Sequence, residues 1–441
     1  MEDATVLLPE SGSERTIADL TRKLSLKAIE FNRYILRYRI EANRQPKWRF
    51  LRYSVAQEAQ SSCYMTSGII MTGHLGAHVN TPQFIHKSIV RGALKTGMVG
   101  YIVGGSSSAF ELGCNLLRDW RNSRDGFSPR QAIAYLSQSL KEADQLMMER
   151  ERLVNALPEG NMRSKLMLEG EIFKDLRRYY LNESLIFQAD TSEFRTYQNV
   201  FYLLNTAANA VATASSLCSL KGLSERKYSG TGSVLEIVTG GLLMGAPLLS
   251  SALAVVARKH ASHMFGNKVG KADPLDYAHM REILKKIEML DADGGATAAV
   301  QGLPQRIGLY AVGAEKFRYT LEEEGKTLYK MRRVAVQTNL FGPPIGGTVL
   351  AQGILGAIAY YNFSRNPVTL TKAQSATRCN YAGALASTIG GASAVGLTAA
   401  ALIATLIYER KLAKQHKLPN QLIEEQLDYL DKVEQKIRNA T

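Results

Sequence analysis

The stretches TNLFGPPIGGTVLAQGILGAIAYYNF at residues 338–363 and NYAGALASTIGGASAVGLTAAALIATLIY at residues 380–408 decide the fold. Neither contains Asp, Glu, Lys or Arg. Each exceeds the roughly 20 residues that a helix needs to cross a hydrocarbon layer about 30 Å thick. A polar connector around Asn366 and Pro367 joins them. The pair therefore predicts a transmembrane helical hairpin.

Two weaker copies of this pair lie upstream, at 61–79 with 96–117 and at 199–220 with 234–257. Three short signatures also recur in the same order, as expected of an internal repeat. They are Leu-Pro followed by Glu or Gln from Leu8, Leu157 and Leu303; Arg-Tyr-x-Leu from Arg33, Arg178 and Arg318; and a proline that opens a helix at Pro129, Pro274 and Pro419. The prolines are 145 residues apart both times. The sequence therefore predicts three repeat units, 1–152, 153–300 and 301–441.

Each unit combines a charged helix around Arg-Tyr-x-Leu, an apolar pair and an amphipathic helix. In the first unit Ser128 and Gln131 match a capping box, and Pro129 suits the first helical position. Apolar residues follow at heptad spacing, with Arg150 interrupting the pattern. One-sided helices of this kind need a partner. We expect them to pack on each other or on the charged helices, and a coiled coil with a partner protein is the alternative.

The chain is basic, with a formal net charge of +14 and a pI of about 9.5. Such a balance suits either nucleic acid or anionic lipid. Lys and Arg concentrate beside the apolar segments, for example at Arg118, Arg258 and Arg410. We therefore expect a lipid bilayer with anionic headgroups as the partner, and no nucleic acid. The four cysteines are isolated along the chain, which predicts reduced thiols rather than disulfides or a zinc site.

Six spans would leave both termini and all the long helical regions on one side of the membrane. The flanks on that side carry more Lys and Arg than the connectors, so the positive-inside rule places the termini and the long helices in the cytoplasm. Small residues four positions apart predict close contacts between the spans. These pairs are Gly100 with Gly104, Gly241 with Gly245, Ala386 with Gly390, and Ala392 with Gly396.

Two carboxylates, Glu111 and Glu236, fall within the apolar segments. Ionisable residues inside spans often mark a transport path, so both are candidates for one. The competing interpretation is that Glu236, near the start of its segment, reaches the membrane interface. His74 and His78 stand one helical turn apart, as metal ligands can, but no carboxylate completes the set. The sequence predicts no metal, no cofactor and no catalytic residue.

The repeated Arg-Tyr pairs are candidates for a shared structural or lipid contact. They are Arg33 with Tyr34, Arg178 with Tyr179, and Arg318 with Tyr319. Each arginine suits either a nearby carboxylate or a lipid phosphate. Each tyrosine suits either a packed helix face or the headgroup belt. Pairing within the protein is the simpler interpretation.

Together these features predict an all-α integral membrane protein of three repeated units about a pseudo-threefold axis. The leading functional hypothesis is a non-enzymatic membrane scaffold or anchor with a cytoplasmic helical layer. A channel or transporter, with a path between the three hairpins, is the alternative. A helical pore former that inserts conditionally is a third hypothesis, because a soluble protein could also bury such segments.

Overall fold

A computed structural model describes residues 12–43, 48–269, 277–291, 315–316, 318–327, 329–330, 342–366, 369–415 and 418–439. All regular structure in these ranges is helical. The long helices are α1 (Gly12–Asn43), α2 (Arg49–Ala77), α3 (Lys87–Arg124), α4 (Pro129–Asn155), α5 (Asn161–Gly222), α6 (Lys227–Val269), α7 (Tyr277–Asp291), α8 (Gly342–Ile358), α9 (Leu370–Lys414) and α10 (Pro419–Asn439). A 3-10 turn forms at Pro82–Phe84, a π-helical turn at Ala359–Ser364 continues α8, and residues 318–327 are also helical.

Six helices close into a ring. Helix α2 packs on α3, α3 on α5, α5 on α6, α6 on α8, α8 on α9, and α9 returns to α2. The predicted apolar pairs are the hairpins α2/α3, α5/α6 and α8/α9. The turns of these hairpins lie together at one end of the ring, where Gln374 Nε2 donates to Asn80 O at 2.9 Å and Gly230 lies against Tyr360. We call this the connector end.

The other end of the ring is covered by a helical cap. It consists of α1, α4, α7, α10, the first half of α5 and residues 318–327. Their apolar faces share one core, contributed by Ile29, Phe31, Ile35, Leu36, Leu136, Leu140, Ile172, Leu176, Ile283, Ile287, Leu321, Ile423 and Leu430 among others. Helices α4 and α10 pack on α1, and α7 packs on α5. The expectation that the amphipathic helices pack within the protein is confirmed for these contacts.

The start of α4 has the local structure expected from its sequence. Ser128 Oγ accepts from the Gln131 backbone N–H at 3.3 Å, and Gln131 Oε1 accepts from the Ser128 N–H at 3.1 Å. The predicted capping box is thus confirmed, with Pro129 in the first turn. The corresponding signals at Leu8, Pro274 and Leu303, and residues 338–341 of the last apolar pair, lie outside the described residues.

Arg150 interrupts the apolar pattern of α4 because it forms a buried ionic link. Its side chain is 2% exposed and donates to Thr21 Oγ1 (2.8 Å), Leu166 O (3.0 Å) and Glu169 Oε2 (2.7 Å). These partners lie on α1 and α5. A buried charge is tolerated where its donors are satisfied in this way. Arg150 of α4 therefore joins three helices of the cap, α1, α4 and α5.

Helix α5 runs unbroken for 62 residues from the cap into the ring. From the sequence, the charged part and the apolar part of this stretch were expected to be separate helices. They form one helix because neither Gly nor Pro, the residues that break helices, lies between residues 184 and 199. In the first unit Pro46 stands between α1 and α2, and there the two parts are separate helices.

Glycine contacts in the ring match the small-residue prediction only in part. Gly100 and Gly104 face Gln60 of α2, and Gly390 faces Thr348 of α8. The pairing of Gly241 with Gly245 is wrong, because a side chain at either position would meet no atom of another helix within 4 Å. Gly396 is equally open. Helices α6 and α8 instead approach closely at Gly240, Gly346 and Gly353. A Cβ added at any of these three glycines would lie within 2.6 Å of a backbone nitrogen of the other helix.

Two helical stretches of the described residues, Lys227–Asn267 and the one beginning at Leu370, are long and apolar enough to cross a membrane. They correspond to α6 and to α9. Length and composition alone are weak evidence, since the core helices of soluble proteins can pass the same test. The other ring helices do not pass it, so six spans are not established by this criterion, and the orientation of the termini is not fixed.

Candidate functional site

Some side chains in the interior of the helix ring connect helices that are not neighbours in the ring. Tyr64 OH of α2 donates to Gln352 Oε1 of α8 at 3.1 Å, although α9 lies between the two helices. Gln60 Nε2 of α2 donates to Asn209 Oδ1 of α5 at 2.7 Å, past α3. Such contacts are possible only inside the ring. The ring interior is therefore lined by polar side chains at these positions.

A group of polar residues, which we call the central cluster, meets on the axis of the ring. It consists of Tyr64, Tyr101, Glu236, Thr348, Gln352 and Ser387. The ring centres of Tyr64 and Tyr101 are 6.0 Å apart, and the Ser387 and Thr348 hydroxyls lie near the Tyr64 hydroxyl. Glu236 of α6 interacts electrostatically with both tyrosines. Since α6 and α2 are opposite one another in the ring, Glu236 must point to its centre.

Glu236 has no hydrogen bond and no ion pair to any of the described residues. Its side chain is half-buried and keeps some accessible surface although five helices surround the cluster. Tyr101 shares this half-buried state. The interfacial position considered for Glu236 from the sequence stays an alternative.

Glu111, the other carboxylate of the apolar segments, is paired with two arginines. Its Oε1 accepts from Arg52 Nε (2.9 Å) and Nη2 (2.6 Å), and its Oε2 lies 3.1 Å from Arg49 Nε. Arg49 also contacts the Tyr202 hydroxyl of α5 at 3.3 Å. The Glu111 side chain is 1% exposed. It therefore ties α3 to the start of α2 near the cap, whereas Glu236 has no such partner.

Polar contacts continue from the central cluster towards Glu111. Beyond Gln60 and Asn209, Asn205 Nδ2 donates to Ser108 Oγ at 2.7 Å, and both residues are buried. Helices α2, α3 and α5 contribute these side chains. The polar lining thus extends along the axis over the half of the ring that faces the cap.

Above this end of the ring, three charged residues meet in the cap. Arg39 of α1 binds Glu324 Oε2 with Nη1 (2.7 Å), and its Nη2 donates to Glu183 O (3.2 Å) and lies 3.5 Å from Glu183 Oε2. Arg39 and Glu324 are 5% and 0% exposed. The guanidinium also lies 4.6 Å from the centre of the Phe187 ring. We call Arg39, Glu183 and Glu324 the cap triad; it joins α1, α5 and residues 318–327.

Burial raises the pKa of Glu183 from its ordinary value of 4.5, and Arg39 opposes the rise. A raised pKa means that the folded state binds the proton more tightly, so this group lowers stability as the pH rises from about 4.5 through the raised value. We expect Glu183→Gln to remove that loss and to flatten the pH profile of thermal unfolding between about pH 4 and 7. Glu171→Gln, at an exposed position of the same helix, is the control. A variant that loses stability with pH as steeply as the wild type would contradict the assignment.

The three repeated arginines occupy different surroundings. Arg33 of α1 binds Asp431 and Glu434 of α10. Arg178 is 60% exposed with Asp175 at 3.6 Å in the same helix, and Arg318 lies 3.8 Å from Glu322. A cross-helix pair in the second unit comes from the preceding residue, Arg177, which contacts Asp144 Oδ1 of α4 at 2.6 Å. Pairing within the protein is thus present at Arg33, and a shared role for all three stays a prediction.

The adjoining tyrosines differ in the same way. Tyr34 stacks on Tyr135 at 3.9 Å and donates to Gly126 O at 3.0 Å. Gly126 adopts a φ of 85°, which favours glycine in this turn between α3 and α4. Tyr179 is 4% exposed in the cap core, and Tyr319 is 54% exposed.

The histidines of the first hairpin lie together near the connector end. His74 Nε2 accepts from the His86 backbone N–H at 2.9 Å, and the rings of His74 and His78 are 5.0 Å apart. Within the described residues, no group of three or more His, Cys, Asp or Glu side chains could hold a metal ion. The four cysteines are free thiols.

Sequence reasoning missed Tyr64, Gln60, Asn209 and Gln352. Their signal was present as uncharged polar side chains within otherwise apolar segments, but the partners across the ring could not be read from spacing. No protein-family model, curated protein or solved structure matches this chain. The function must therefore be argued from the geometry of the ring and the cap.

Proposed function

We propose that this chain is an integral membrane protein that moves a small polar solute along the interior of three helical hairpins. The observation that carries the proposal is the central cluster, in which Glu236 points to the ring axis and pairs with none of the residues that the structure describes. An ionisable group inside a membrane is costly and is usually retained for function. The proposal takes up the channel or transporter hypothesis in preference to the scaffold.

The distribution of apolar side chains supports a membrane setting. Every ring helix exposes large apolar residues, whereas the interior contacts are polar, the reverse of a soluble bundle. Examples, one from each helix, are Ile69, Phe110, Leu203, Leu249, Ile354 and Ile403. Trp48 and Trp120, both exposed, stand where the ring meets the cap and suit a membrane interface.

The cap contacts support a cyclic arrangement of three units. Arg33 of the first unit reaches Glu434 of the third, and Arg177 of the second reaches Asp144 of the first. Glu434 and Asp144 both lie 15 residues after the proline that opens their helix. In the first and second units the charged helix thus binds the amphipathic helix of the unit before it in the cycle. A pseudo-threefold axis through ring and cap accounts for both pairs.

The connector end supports contact with anionic headgroups. Nine exposed basic residues, three on each hairpin turn, surround it: Lys87, Arg91, Lys95, Lys221, Arg226, Lys227, Arg365, Lys372 and Arg378. Glu225 is the one acidic residue of these turns, 80–95, 221–233 and 364–379. Positive charge at headgroup depth attracts anionic lipid. On the flanking charges of the sequence, we propose that the cap and both termini are cytoplasmic.

Cysteine accessibility tests the proposed path without knowledge of the solute. The four native cysteines are first replaced by serine, and single cysteines are introduced at Gln352 and Ser387 in the central cluster. Both should react with a small charged methanethiosulfonate reagent in liposomes, because a conducting interior contains water. Leu249→Cys and Ile403→Cys, whose side chains are 52% and 58% exposed on the outer face of the ring, should stay unreactive in lipid.

Lys95→Cys at the connector end is the positive control for the reagent. Unreactive central cysteines beside a reactive Lys95→Cys would refute an aqueous path. Extraction with alkaline carbonate tests membrane insertion separately, and release of the chain into the soluble fraction would refute it. The same reagent added to one side of the membrane at Lys95→Cys reports the orientation.

The scaffold hypothesis keeps one specific observation in its favour. Exposed methionines lie on three cap helices, Met148 on α4, Met167 on α5 and Met289 on α7. Methionine is common on adaptable binding surfaces. Replacing all three by glutamine should abolish capture of any partner that docks there and leave cysteine reactivity in the ring unchanged. If the variant still captures the partner, the exposed methionines no longer support a scaffold.

A further inference from the structure

We infer that the central cluster is a binding site for a monovalent cation, held by the Glu236 carboxylate and by neutral oxygen atoms around it. The inference rests on the proposed function in one respect, that the ring interior is accessible to water. It goes further in naming the class of ligand and the residues that hold it.

The first argument is the isolation of the negative charge. Across the apolar segments of the ring, Glu111 and Glu236 are the charged residues within the described ranges. On the cap side of the cluster, Arg49 and Arg52 are already bound to Glu111, and on the connector side Lys95, six residues before Tyr101 on α3, is exposed. Arg52 and Tyr64 are 12 residues apart on α2, which corresponds to roughly 18 Å of helix. A charge at that distance gives Glu236 little compensation.

The second argument is the chemistry of the neighbouring side chains. Tyr64, Tyr101, Ser387 and Thr348 offer hydroxyl oxygens, and Gln352 offers an amide carbonyl. These are hard, neutral donors, and no imidazole or thiolate is among them. One carboxylate with neutral oxygens balances a single positive charge, whereas calcium and similar ions are usually held by several carboxylates. The set therefore favours a monovalent cation.

The third argument is the origin of these side chains. The first hairpin contributes Tyr64 and Tyr101, the second contributes Glu236, and the third contributes Thr348, Gln352 and Ser387. A cation bound among them draws the three hairpins together at mid-depth. A ligand that interacts differently with two arrangements of the hairpins shifts the balance between those arrangements. The site is thus placed to couple cation binding to movement of the ring.

Three kinds of monovalent cation fit this site: a proton, an alkali metal ion or a small alkylammonium ion. Among the residues that the structure describes, the titratable groups that interact with Glu236 are Tyr64 and Tyr101, and the cluster residues of α8 and α9 are neutral. A test must therefore separate pH from metal ions and from organic cations. All sources share the need for the Glu236 carboxylate.

The experiment uses the full chain purified in lipid nanodiscs. Thermal unfolding is measured in sodium, potassium and methylammonium chlorides and compared with unfolding in the chloride of the bulky cation N-methyl-glucamine. Binding of ²²Na⁺ is measured in the same salts. Unfolding in the N-methyl-glucamine salt is repeated at several pH values. We expect a saturable rise in the unfolding midpoint with one of these cations or with protons. Glu236→Gln should weaken that dependence about tenfold or more, since it removes the charged partner. Glu225→Gln, at the exposed connector, is the matched control and should behave as the wild type.

Milder variants guard against failure of Glu236→Gln to fold. Tyr101→Phe and Ser387→Ala each remove one oxygen and should shift the midpoint concentration in the same direction by a smaller factor. If the wild type, Glu236→Gln and the two milder variants respond alike to every cation and to pH, the site is refuted. If the cation site is refuted but the cysteines introduced at Gln352 and Ser387 are reactive, the proposed aqueous path still stands. If those cysteines are also unreactive, both the cation site and the path are refuted.

Discussion

Replacing Arg39 by alanine is expected to lower the apparent free energy of unfolding in detergent by about 3 to 5 kcal/mol, the usual cost of leaving a buried charge without its partner. Glu324 is 0% exposed and its closest charged partner is Arg39, at 2.7 Å. Glu183 would lose the same guanidinium. The variant therefore leaves two carboxylates on different helices facing each other in the cap without a cation between them.

The control for this prediction is an ion pair at the cap surface. Lys174 and Glu151 lie 2.6 Å apart with side chains 48% and 40% exposed, and Lys174→Ala should cost less than about 1 kcal/mol. The double variant of Arg39→Ala with Glu324→Gln should recover part of the loss, because it removes one of the stranded charges. Equal effects of Arg39→Ala and Lys174→Ala, measured by chemical denaturation, would show that the cap triad contributes no more than a surface pair.

Two adjacent glycines of α6 are expected to respond to alanine with opposite signs. A Cβ at Gly240 would collide with Leu350 N and lie 2.6 Å from its Cα, so Gly240→Ala must push α8 away from α6. Overpacking of this kind costs about 1 to 3 kcal/mol, and more where backbone blocks relaxation. A Cβ at Gly241 meets nothing within 4 Å, so Gly241→Ala should stabilise the helix by up to about 1 kcal/mol.

Thermal unfolding of both variants in the same detergent provides the measurement. Gly346→Ala, which meets Met244 N at 2.6 Å from the other side of the contact, should repeat the loss seen with Gly240→Ala. Effects of the same sign at residues 240 and 241 would mean that the helices are not in backbone contact there. The close approach of α6 and α8 would then have to be abandoned.

These glycines show where sequence reasoning stops. Spacing identified α6 as a helix with small residues on its surface, but several glycines share that surface at different rotations about the axis. Residues 240 and 241 differ by about 100° around an α-helix. Only the packing partner selects one of them, and that partner, α8, is about 100 residues away in the chain. Local signals such as the capping box at Ser128 and Gln131 needed no such information and were predicted.

The carboxylates show the same division. Glu111 and Glu236 were indistinguishable as acidic residues in apolar segments. Their roles separate because Arg49 and Arg52, at the start of α2, bind Glu111 across 59 or more residues of sequence, while no basic residue in the described ranges pairs with Glu236. Helix content and the positions of the hairpins could be predicted from composition and periodicity. Which polar side chains meet at the centre of the ring depends on helix rotation, which periodicity does not fix.

The unbroken length of α5 has a mechanical consequence. At 62 residues it is a rod of roughly 90 Å, at 1.5 Å per residue. A tilt of about 5° at one end of a rod of that length displaces the other by roughly 8 Å. Because α5 joins the ring to the cap without a break, a tilt of the second hairpin within the ring is expected to carry the cap end of this helix with it.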